Sequence, residues 1–199
     1  NLGAAGAMDM LTSLDEIAVI AVDSQPHIIL AMQYADQAQS SRNDILGIRS
    51  MGGGIFVEEG ITAGLRELSR ASAETKHLIL FADAADSEEP GDFRSYLAKA
   101  TAAGITVSVI GLGTESDCDA KLLREIAEAG NGTCQFESDA KEIPRLFMQD
   151  TYLVAKTAMC TNLTPVKTTS SLRQLSDVLP AKLAPVGGYN LTYIRDDAE

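Results

Sequence analysis

Three strand-length runs dominated by aliphatic residues constrain this chain more than any other feature. They are Ile17-Ala-Val-Ile-Ala-Val22, His77-Leu-Ile-Leu-Phe-Ala82 and Ile105-Thr-Val-Ser-Val-Ile110. A strand with one wet face alternates apolar and polar side chains, whereas a strand covered on both faces reads as a nearly continuous apolar run. Between the runs lie stretches with helical spacing. Ala5, Met8, Leu11 and Leu14 predict a helix over 2–14, and Val57, Ile61, Leu65 and Leu68 predict another after Gly52-Gly53-Gly54. Pro90 suits a first helical turn, with Phe93, Tyr96, Leu97 and Ala100 on one face and Gly104 as the stop. Ser116 is placed to cap a helix through Leu122, Leu123 and Ile126, with Asp119 in its first turn and Gly130 closing it. A last helix is expected over 140–158, with Pro144 near its start, and a short one over 43–50. His27–Met32 reads as an antiparallel edge strand and Thr133–Phe136 as a short strand. Strands alternating with amphipathic helices predict an α/β fold: a doubly wound, mostly parallel open sheet with helices on both faces.

The domain is expected to occupy residues 1–158. From Thr161 the chain turns rich in Thr, Ser and Pro, with a helix expected at Ser171–Leu179 and an extended stretch at Val186–Ile194. Residues 159–199 therefore read as a linker and the start of a truncated following domain. The opening Asn1-Leu2-Gly3 suggests a piece of something longer.

The chain has 199 residues and a formal net charge of −12. Phosphate binding needs a clustered basic surface, so this balance argues against nucleic acid and against docking on anionic lipid. No apolar run is long enough to predict a membrane span, so direct insertion by this segment is not expected. The three cysteines, Cys118, Cys134 and Cys160, show no C-x-x-C and no zinc spacing, and an odd count cannot complete a disulfide framework.

Ligands of open α/β sheets sit beyond the carboxyl ends of the strands. The loops there are 23–26, 50–56, 83–90 and 111–117. Gly52, Gly53 and Gly54 before a helix could cradle a phosphate, but the Lys-Ser/Thr of a P-loop is absent. Asp83, Asp86, Glu88 and Glu89 form an oxygen-rich cluster that reads either as a Mg²⁺ or Ca²⁺ site or as a solvated turn leading into a helix. His27 and His77 fall at strand starts, expected on the opposite rim or within the sheet, away from Ser24, Ser50 and Ser87. With no G-x-S-x-G elbow, a Ser–His hydrolase is disfavoured. Cys118, near a helix start, has no histidine placed to activate it.

In this order, Glu16-Ile-Ala-Val-Ile-Ala-Val-Asp23, Ser50-Met-Gly-Gly-Gly-Ile-Phe-Val57, His77-Leu-Ile-Leu-Phe-Ala-Asp83 and Ile105-Thr-Val-Ser-Val-Ile-Gly-Leu-Gly113 resemble the von Willebrand factor A family. The likeness covers roughly residues 1–152. His77–Glu89, Gly111-Leu-Gly-Thr-Glu115 and Gly188-Tyr-Asn-Leu-Thr192 resemble a bacterial, membrane-anchored subgroup coupled to a glutamine amidotransferase-like domain. The resemblance implies a non-catalytic domain that binds a protein partner through the rim around Gly52, Gly53, Gly54, Ile55, Asp83 and Asp86. It implies anchoring through parts outside this segment, on the extracytoplasmic side. The alternatives are a metal-dependent version of the domain and a nucleotide-binding enzyme domain of similar sheet order.

The family's metal site takes an Asp-x-Ser-x-Ser motif after the first strand, a Thr in the glycine-rich loop and a later Asp. Here only Asp83 matches. The Thr position falls on Ile55 or Gly54, and the first motif would lie upstream of Asn1. No cofactor is therefore expected, and Mg²⁺ only where an upstream motif completes the site. The family's first strand lies between the strands matching Ile17–Val22 and His77–Ala82. The resemblance thus implies that these two runs do not pair directly. Something must fill the slot between them: a segment upstream of Asn1, which is favoured, Val186–Ile194, or a neighbouring molecule.

Overall fold

The computed structural model describes residues 1–49, 56–84, 90–155, 159–160, 165, 185 and 189–190. It divides into two compact units, Asn1–Val154 and Ala155–Glu199. In the second, β6 (Met159–Cys160) pairs antiparallel with β7 (Tyr189–Asn190). Most of Val186–Ile194 and all of Ser171–Leu179 lie outside the described residues.

The first unit opens with α1 (Leu2–Met8), followed by a hairpin of β1 (Glu16–Val22) and β2 (Pro26–Tyr34). Short helices α2 (Ala35–Ala38) and α3 (Arg42–Leu46), joined by a 3-10 turn, follow the hairpin. Then come α4 (Val57–Leu68), β3 (Lys76–Asp83), α5 (Phe93–Ala102), β4 (Ile105–Leu112), α6 (Ala120–Ala129), β5 (Asn131–Glu137) and α7 (Ile143–Ala155). β3, β4 and β5 form a parallel sheet in that order, and β2 lies antiparallel to β1 as an edge strand. Helices cover both faces, so the fold is the doubly wound α/β arrangement that the apolar runs predict.

The faces follow from strand alternation. Leu80, Ala82, Val107 and Val109 pack with Val57, Ile61, Leu97, Leu123 and Ile126 beneath α4, α5 and α6. On the opposite face Ile110 packs with Ile143, Leu146 and Phe147 of α7. A third cluster joins Ala5 and Met8 of α1 to Leu30, Ala38 and Ile45, with Ile17 and Val19 against it.

The hairpin and the three-stranded sheet are separate ladders among the described residues. As the resemblance implies, Ile17–Val22 and His77–Ala82 are not hydrogen-bonded neighbours. What joins the two halves is α4, which packs on β1, β2 and β3 together. Gly60 sits over both halves: a Cβ there would come 3.3 Å from Val22 Cγ2 and 3.8 Å from Leu80 Cδ1. About two turns past Gly60, Glu67 is buried and its Oε2 accepts a hydrogen bond from the Met32 N–H at 2.8 Å, tying α4 to β2.

Several boundaries differ from the sequence reading. The first helix stops at Met8 because Thr12 and Asp15 form their own hydrogen-bonded turn, which leaves Leu14 exposed. Pro90 precedes α5 instead of opening it. The turn there is held by Glu58, whose Oε2 accepts from the Asp92 N–H at 2.8 Å. Asp119, not Ser116, is the residue before α6, and Ser116 instead donates its N–H to Thr114 Oγ1. The short helix expected over 43–50 ends at Leu46.

β5 carries a bulge opposite Ser108, between the pairs Val107–Asn131 and Val109–Cys134. It requires glycine: a Cβ on Gly132 would lie 2.1 Å from Val107 O and 2.5 Å from Val107 C, against backbone that cannot swing aside. Gly132→Ala is therefore expected to cost roughly 2–3 kcal/mol, at the upper end of overpacking changes. A thermal melt should show a fall of about 5 °C or more, and an unchanged midpoint would mean that the bulge can open.

Candidate functional site

The carboxyl ends of β1, β3 and β4 and the start of β2 define one rim. Its loops are fixed by backbone hydrogen bonds. Phe56 N–H donates to Asp23 O at 3.4 Å, Ala84 N–H to Leu112 O at 2.9 Å, Gly113 N–H to Glu137 O at 2.9 Å and Asp119 N–H to Ala84 O at 3.0 Å. Two rim carboxylates are held by local turns. Asp23 Oδ1 accepts from Gln25 N–H at 2.9 Å, and Asp117 Oδ2 accepts from Thr114 N–H at 2.6 Å. The Gln25 N–H, followed by the His27 ring 3.1 Å away, holds the Asp23 carboxyl below the usual carboxylate range.

His27 corrects the sequence reading, which put it on the opposite rim or within the sheet. β2 runs antiparallel to β1, so its first residues return to the rim where β1 ends, and the imidazole meets Asp23. Asp83 closes β3 opposite Leu112 and is half-buried. Gly52, Gly53, Gly54, Ile55 and Asp86, with Ser50, Ser87, Glu88 and Glu89, lie outside the described residues. Among the described residues no three His, Cys, Asp or Glu side chains converge on a point that an ion could share.

Cys118 is exposed at this rim, with Sγ 3.8 Å from Ala84 O, while Cys134 sits half-buried in β5. Burial pushes the Cys134 thiol up to about 11, which keeps it protonated and inert near neutrality.

The opposite end of the sheet holds a polar cluster that the sequence reading missed. His77 Nε2 lies 2.8 Å from Asp150 Oδ2, and His77 Nδ1 lies 2.6 Å from Thr106 Oγ1. Thr133 Oγ1 donates to Asp150 Oδ1 at 3.2 Å, and Thr133 N–H donates to Ser108 Oγ at 3.1 Å. Hydroxyl, imidazole and carboxylate stand in the order of a nucleophile relay. The imidazole and carboxyl are 9% and 4% exposed between α7 and the sheet, so the pair ties α7 to β3. The cluster is a latch for α7. The signal for it was in the sequence: Asp150 falls at helical spacing from Ile143 and Leu146, a carboxylate on the apolar stripe.

The von Willebrand factor type A domain model matches residues 5–149. The chain belongs to this family. Its von Willebrand factor A domain is 26% identical over 150 residues to the protein sll0103 of Synechocystis sp., covering 73% of this chain and 34% of that protein. The chain thus spans about a third of that relative's length. Among solved structures, a von Willebrand factor type A protein from Catenulispora acidiphila superposes with a TM-score of 0.68 at 20% identity, over 95% of this chain and 49% of the other. An aerotolerance-related membrane protein from Bacteroides fragilis superposes with a TM-score of 0.59 at 15% identity, over 75% of this chain and 85% of the other. At these identities the structures speak to the fold, and they agree on it.

In this von Willebrand factor A domain the α7 latch is expected to matter for stability. Asp150→Ala strips a partner from the exposed Thr133 and from His77, whose side chain is 9% exposed and whose unmade bond is worth about 1–3 kcal/mol. Urea unfolding should show a loss of roughly 3 kcal/mol, and Asp150→Asn a smaller one. A loss under about 1 kcal/mol would mean that the apolar stripe alone seats α7.

Proposed function

We propose that this domain is a non-catalytic protein-binding module of a larger, membrane-associated bacterial protein, and that the partner docks on the rim around 50–56 and 83–89. The observation that carries this reading is the makeup of the rim. Its loops hang from four different strand ends, its carboxylates Asp23 and Asp117 are fixed by backbone hydrogen bonds, and its one imidazole is already paired with Asp23. Such a surface, among the described residues, offers shape and negative charge to a partner. Membership of the family supports a binding role. The membrane association rests on the likeness to the Bacteroides fragilis membrane protein. Among the described residues no helix is long and apolar enough to cross a bilayer, so the anchor would lie elsewhere in the protein, as would any glutamine amidotransferase-like domain.

A photo-crosslinking residue at Gln25 or Glu115 on the rim should trap a partner in cells making the whole protein. The same residue at Glu74 or Ala103, exposed at the other end of the sheet, should not. Equal adducts at both ends would sink the rim assignment.

The reading includes a degenerate metal site. Mg²⁺ takes near-octahedral oxygen ligation, and Ile55 or Gly54 brings no side-chain oxygen where the family has Thr. Titration calorimetry with Mg²⁺ or Mn²⁺ is expected to show no saturable binding in the micromolar range. Micromolar binding abolished by Asp83→Ala would overturn this and favour the metal-dependent alternative.

A further inference from the structure

We draw no further inference here: the strongest candidate, the outer edge of β2 with Ile28 and Tyr34 exposed along a strand that has no Asp, Glu, Lys or Arg, carries nothing because nothing among the described residues shows what covers it.

Discussion

Everything in this domain depends on how its backbone amides find partners across a sheet that its own described strands form in two pieces. A parallel sheet is stable in an α/β protein because helices exclude water from both faces and each central strand is paired on both sides. Here the helices are in place on both faces, but β1 and β3 are each paired on one side. The half-sheets are held by side-chain packing through α4, with Gly60 over Val22 and Leu80 and Glu67 on Met32 N–H, and through the α1–α7 pair above. Packing is non-directional, so it holds the halves side by side without a shared ladder. The hydrophobic clusters divide by face and by half: those of Leu80 and Ile110 lie on opposite faces of the three-stranded sheet, and that of Met8 and Leu30 packs on the hairpin.

Buried polar groups fix the positions that packing leaves loose. Asp150 and His77 register α7 against β3, Thr133 and Ser108 carry the same network into β5 and β4, and Glu67 registers α4 against the edge strand. The Gly132 bulge belongs to this scheme, because it lies next to Thr133, which bonds both Ser108 and Asp150. Of these groups Glu67, Ser108 and Asp150 are buried, and a buried polar group offsets its desolvation only when every partner is present, which suits groups whose task is to select one register.

The fold was legible because burial on two faces writes itself as aliphatic runs, and Ile17–Val22, His77–Ala82 and Ile105–Ile110 all lie within strands. Helix ends were read less well. At Met8, Pro90 and Ser116 the decision belongs to single hydrogen bonds in turns, from Asp15, Glu58 and Thr114, and such bonds leave no periodic trace. His27 was misplaced even though β2 was read as antiparallel, because the consequence for which rim its first residues reach was not followed through. Asp150 and Glu67 were overlooked although their helical spacing puts them on apolar faces. A charged residue on such a stripe signals a buried partner, and the pattern does not say which.

The two half-sheets and the rim are connected through this architecture. Asp23 and His27 are carried by the hairpin, whereas Asp83 and the Thr114–Asp117 turn are carried by the three-stranded sheet. Any partner that touches both sides of the rim reads the distance between the half-sheets. Between the half-sheets that distance is set by α4, through apolar contact with Val22 and Leu80 and through the Glu67 hydrogen bond to Met32 N–H. Directional bonds constrain relative position far more tightly than packing does, and a pre-ordered surface loses less freedom on binding. The seating of α4 on the two half-sheets therefore also sets how far Asp23 stands from Asp117.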